Sequence, residues 1–110
     1  MQPFRIEGLP EDPLAAAAQF HAAILPTLSE LAGDLLLVFP PADHAHRAWR
    51  LAAVQGLARA AVPRRINAVA ASSARAIDSA LAFLAGAPGV TGQYLTLDDA
   101  GAGAVLSSAQ

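Results

Sequence analysis

Residues 35–39 read LLLVF, five apolar side chains with no polar break. An uninterrupted apolar run of strand length suits a strand covered on both faces, as in a parallel sheet. The flanks agree with that reading. Gly33 is placed to end a preceding helix, and Pro40–Pro41 stops the strand. Asp43 is a natural N-cap, which predicts a helix from about His44 to Ala61, closed by Pro63.

Outward from there, strand and helix signals alternate. Asp12 caps a helix expected from Pro13 to Ala32, with Phe20, Ile24, Leu28 and Leu31 as its buried stripe. Pro26 lies inside that helix and should kink it. Phe4 to Glu7 is a short first strand and Arg65 to Ala70 a third. A helix over Ala74 to Ala85, a Gly86–Pro88–Gly89 turn and a strand over Gln93 to Leu97 follow. This order predicts an α/β fold, a small parallel sheet of about four strands with three crossover helices. Residues 1–99 form the single expected domain, and residues 100–110 (AGAGAVLSSAQ) read as a flexible C-terminal tail.

Composition narrows the function. Net charge is −2, and the sequence pI is about 5.8, so there is no electrostatic footprint for nucleic acid or an anionic membrane. The Arg64–Arg65 doublet reads as a solvated lead into a strand. No apolar run approaches the ~20 residues of a membrane helix, and the N-terminal stretch lacks the apolar centre of a signal peptide. Cysteine is absent, which excludes disulfide and thiol chemistry; the expected compartment is the cytoplasm. Hydrophobic residues make up 55% and mean hydropathy is +0.41, so some apolar surface is expected to meet another chain.

Three runs carry a family resemblance. Leu51 to Ala60 (LAAVQGLARA) resembles the helix after the catalytic tyrosine of short-chain dehydrogenases/reductases. Arg65 to Ala71 (RINAVAA) is similar to that family's next strand, and Ala80 to Asp98 (ALAFLAGAPGVTGQYLTLD) to its final helix, T-G-Q turn and last strand. The resemblance implies the C-terminal half of an NAD(P)-binding, Rossmann-like fold, with the adenosine half of the cofactor site missing and the first two helices on the opposite sheet face from the third.

The chemistry of that family does not carry over. The chain has no lysine, and its one tyrosine, Tyr94, lies in the last strand, so a Tyr-x-x-x-Lys pair is impossible. By the resemblance, the tyrosine position falls on Arg47, the lysine position on Leu51, and the serine position near Pro40. The asparagine position falls near Asp12 or Pro13, while the one asparagine is Asn67. Ala71–Ser72 replaces the Pro-Gly that would face a nicotinamide, and no glycine-rich turn opens a helix. Hydride transfer needs a tuned proton donor and a held cofactor. Neither catalytic residues, cofactor nor metal is expected.

Other titratable groups read as structural. His44 and His46, two apart on a helix, point to different faces and read as surface residues. His21 reads as a partly buried, hydrogen-bonded histidine, and Arg47, Arg50 and Arg59 as a solvated or interface-rim face. Ser72 and Ser73 lack a nucleophile elbow and read as a polar connection. Ala48, Ala52, Gly56 and Ala60 recur every four residues, with Trp49, Ala53 and Leu57 on the adjacent ridge. Two apolar ridges exceed what one sheet contact needs, so Ala48, Trp49, Ala52, Gly56 and Ala60 are the expected interface.

The reading that results is a non-catalytic, dimeric interaction or regulatory subunit resembling a short-chain dehydrogenase. Its expected partners are itself or a full-length family member, with no nucleic acid and no membrane. The alternatives are a small-ligand-binding module using a residual cleft at Pro40, Asp43, Ala71, Ser72 and Ser73, or an oxidoreductase active only within a hetero-oligomer.

Overall fold

The computed structural model describes residues 1–97 and 105–107. Four parallel strands lie side by side in chain order: β1 (Gln2–Arg5), β2 (Leu35–Phe39), β3 (Ile66–Ala70) and β4 (Tyr94–Leu97). Each crossover is helical. The first comprises α1 (Pro13–Gln19), a π-helical turn (Phe20–Ile24) and α2 (Leu25–Glu30). A 3-10 turn (His44–His46) leads into α3 (Arg47–Ala61) in the second, and α4 (Ala74–Ala85) makes the third. A fifth strand, β5 (Val105–Ser107), pairs antiparallel with β4. The sequence placed Val105–Ser107 in the tail; of that tail, residues 100–104 and 108–110 lie outside the described residues.

Alternation along β2 and β3 divides two cores, because successive side chains leave opposite faces of a sheet. Leu35, Leu37, Phe39, Ile66, Ala68 and Ala70 pack under the first crossover and α3. Leu36, Val38 and Val69 pack under α4 with Ile77, Ala80 and Leu84. All five residues of β2 are buried, as its unbroken apolar run requires. The first two crossovers therefore share one face, and α4 covers the other.

Several local features differ from the sequence reading. β1 starts two residues earlier than expected, because Gln2 pairs with Leu35 and its N–H donates to Asp34 O at 3.0 Å. The first helix bends through a π turn, where Leu25 N–H reaches Phe20 O. That i→i+5 bond lets the chain pass the N–H missing at Pro26. Helix α2 ends at Glu30, short of Gly33, because Leu31 is extended and Arg64 donates to its carbonyl. Gly33 instead makes the turn beyond, at φ +81°.

Arg64–Arg65 is not a solvated doublet. Arg65 N–H donates to Asp34 Oδ1 at 2.8 Å, and its guanidinium reaches Asp34 Oδ2 at 3.2 Å and Ala87 O at 2.8 Å. This clasp joins the start of β2 to the end of α4. His21, expected partly buried, is exposed and donates to Ala17 O at 2.7 Å. Among the described residues no helix is long and apolar enough to cross a membrane.

Candidate functional site

The C-terminal ends of β1 and β2 open onto a cavity of about 460 Å³. Sequence explains why a space is left there. Ile6 still pairs with β2, its N–H donating to Val38 O at 2.8 Å. Gly8 then turns the chain at φ +79°, a conformation L side chains rarely adopt. The segment runs out to Asp12, whose carboxylate caps α1 by accepting from Ala15 N–H at 2.9 Å. On the β2 side, Pro40–Pro41 carries the chain to Asp43, which caps the 3-10 turn by accepting from Ala45 N–H at 3.1 Å. The two connections diverge around the cavity. Ile6, Leu9, Ala16, Pro40 and Pro41 form its apolar walls, and Glu11, Asp43, His46 and Arg50 its polar ones.

Two of those polar residues overturn the sequence reading. His46, expected at the surface, is 8% exposed. Its Nε2 lies 2.8 Å from Glu11 O and its Nδ1 3.1 Å from Trp49 Nε1. A carbonyl can only accept and an indole N–H only donate, so the proton sits on Nε2. His46 thereby ties the lead into α1 to the start of α3. Arg50, expected at a solvated rim, is 3% exposed. It heads the buried stripe of α3, continued by Ala53, Val54, Leu57 and Ala58.

Arg50 rests on an aromatic cluster. Phe20, Phe39 and Trp49 have ring centroids 5.6–5.8 Å apart, and Tyr94 lies 6.1 Å from Phe39. The guanidinium carbon sits 4.7 Å from the Phe39 ring centroid and 5.9 Å from that of Trp49. Nη1 donates to Pro40 O at 2.8 Å and to Tyr94 Oη at 3.1 Å. Nε is buried with no hydrogen-bond partner among the described residues. The only ion pair among the described residues joins Arg65 to Asp34, so no carboxylate neutralises Arg50. Trp49 is accordingly turned inward, half-buried against its own core, rather than presented outward.

The expected cleft residues do not converge on one site. Pro40 and Asp43 line the large cavity. Ala71 and Ser72 line a separate pocket of about 180 Å³ with Arg5, Glu7 and Pro40. Ser73 lines neither, because its hydroxyl caps α4 by accepting from Ala76 N–H at 3.1 Å. Of the expected interface, Ala48, Ala52 and Ala60 are exposed and Gly56 half-buried. Arg47, at the resemblance's tyrosine position, is half-buried on the first turn of α3. Among the described residues no group of three His, Asp or Glu could hold a metal ion.

The sequence runs that carry the resemblance are fastened to one another. Asn67 is fully buried; its Nδ2 donates to Val90 O and its Oδ1 accepts from Gln93 N–H, both at 3.0 Å. Thr91 Oγ1 accepts from Ile66 N–H at 3.0 Å, and Gly92 N–H donates to Ile66 O at 2.7 Å. RINAVAA and the T-G-Q turn therefore form one scaffold unit remote from the cavity.

A family model described as short chain dehydrogenase-like protein matches residues 4–97. Searches of the curated proteins and of the solved structures find no match.

Proposed function

This chain belongs to the short chain dehydrogenase-like family, and we propose that it acts there as a non-catalytic, small-ligand-binding protein. The observation that carries the reading is the fate of its single tyrosine. Tyr94 is 4% exposed, and its hydroxyl accepts a hydrogen bond from Arg50. A proton donor must lie within reach of the reacting atom, and Tyr94 does not line the cavity. The cavity keeps its place at the strand C-termini, where open parallel sheets bind ligands. It is equipped to hold a molecule and lacks the family's means of transforming one. A screen of the purified chain tests this: some small organic compound should raise the melting temperature while NAD(P)H and carbonyl substrates are left unconsumed. Carbonyl reduction by the chain alone would refute it.

A second reading, self-association or docking onto a full-length family member, is favoured by Gly56. A mid-helix glycine costs about 1 kcal/mol relative to alanine. A Cβ built there would meet nothing nearer than Arg59 Nη2 at 4.0 Å, so nothing among the described residues requires the glycine. A helix approaching across Ala48, Ala52 and Ala60 would require it. The two readings are compatible, since the cavity and the outer ridge of α3 use different faces of that helix.

A further inference from the structure

The geometry points to a small monocarboxylate as the ligand of this cavity, bound through the Arg50 guanidinium; the inference rests on the ligand-binding reading and names its chemistry. A buried charge is costly unless paired, and among the described residues Arg50, 3% exposed, has only neutral partners: Pro40 O, Tyr94 Oη and the aromatic faces of Phe39 and Trp49. The ring contacts offset part of the cost and fix the plane of the group. Among the described residues both bonds to the protein are made by Nη1; Nε is buried without a partner, so a grip through Nε and Nη2, the side edge of the fork, requires the guanidinium to shift towards the cavity as the acceptor enters. Two parallel N–H donors match the two oxygens of a carboxylate.

The other walls select among anions. Glu11 and Asp43 line the same cavity, and Asp43 is committed to capping the 3-10 turn. One cation against two carboxylates leaves the lining net negative, which disfavours all anions and polyvalent ones most, so a ligand held through Arg50 carries no more than a single charge. Ile6, Leu9, Ala16 and Pro41 then accept an apolar body. A cavity of about 460 Å³ has room for a short- or medium-chain acid. Arg50 supplies the charge, and Tyr94 and the Pro40 carbonyl act as positioning groups.

The test is a comparison of sodium hexanoate with hexanamide, its neutral near-isostere, at ionic strength matched with sodium chloride. Melting temperature and Trp49 fluorescence are read together, since the only tryptophan lies beside Arg50. Hexanoate at ten times its Kd should raise the melting temperature by roughly 7 °C and perturb Trp49, with hexanamide at least tenfold weaker. Arg50→Met should remove the preference for acid over amide, and Arg50→Lys should retain part of it. If Arg50→Met does not fold, the acid–amide contrast in the unmodified chain still decides. Equal response to acid and amide overturns charge recognition and leaves the ligand-binding reading standing. Stabilisation by inorganic phosphate but by no acid from acetate to octanoate overturns the ligand class. No response to either series contradicts the cavity reading itself.

Discussion

Replacing Asn67 by alanine should be among the most damaging single polar changes in this chain. The side chain is fully buried and makes two hydrogen bonds of 3.0 Å to backbone groups of Val90 and Gln93. Each buried group left without its partner costs about 1–3 kcal/mol. Val90 and Gln93 are only half-buried, so water relieves part of the loss. The expected cost is then about 2–4 kcal/mol, which for a domain of this size lowers the melting temperature by about 10–20 °C. Urea unfolding followed through Trp49 measures it, because that indole packs on Phe20 and Phe39 in the core. Asn67→Asp provides an internal control. It keeps the acceptor for Gln93 N–H but sets a carboxylate oxygen against Val90 O, so near neutral pH it should be worse than alanine. In acid the introduced carboxyl is protonated and can donate to Val90 O, so this variant should recover. A loss below about 0.5 kcal/mol for Asn67→Ala, under half of one typical net hydrogen bond, would refute the reasoning that this side chain fastens the T-G-Q turn.

Other consequences follow from the Asp34 clasp and from the outer ridge of α3. The Arg65 backbone N–H, with its guanidinium, holds the Asp34 pKa below the ordinary 3.8, outweighing burial, which acts in the opposite direction. A depressed folded-state pKa contributes stability above the unfolded value, lost as pH falls through the folded one. Acid melts should therefore show a steeper fall below about pH 4 for the unmodified chain than for Asp34→Asn, and parallel curves would contradict the clasp. On α3, Gly56→Ala should raise the dimer dissociation constant at least tenfold in sedimentation equilibrium, and Ala52→Arg more. A chain that is monomeric throughout, with Gly56→Ala merely stabilising it by about 0.5–1 kcal/mol, would remove the self-association reading.

Much of the fold was legible because the signals were redundant. LLLVF is buried over its whole length, Asp12 and Asp43 cap the turns where helical structure was expected to begin, and the alanine-rich Ala74–Ala85 stretch is a helix over the bounds read. The family match over residues 4–97 agrees with the resemblance carried by RINAVAA and the T-G-Q turn, and the structure shows those runs bonded together. Their physical role is scaffold, which a sequence can keep while its chemistry changes.

The centre of the cavity was hidden for a different reason. Charged residues are assigned to the surface by default, since buried ones are rare. Arg50 nonetheless stands at i, i+3, i+4, i+7 and i+8 spacing with Ala53, Val54, Leu57 and Ala58, and that periodicity was available to find it. His46, one turn before Arg50, was misplaced by the same default. The Tyr94–Arg50 bond spans 44 residues and left no local trace. Pro26 signalled a distortion but not its form, because a π turn upstream absorbs the missing donor as well as a simple kink would.

Site mapping by nuclear magnetic resonance locates the bound acid residue by residue. The ¹H–¹⁵N spectrum of the labelled chain would be recorded during a titration with sodium hexanoate. Saturable shifts are expected at the Arg50 Nε–H and at the backbone amides of Gly8, Asp43 and His46, with α4 and the outer ridge of α3 unchanged. Shifts confined to those outer surfaces, or none at Arg50 while the chain melts normally, would contradict that location.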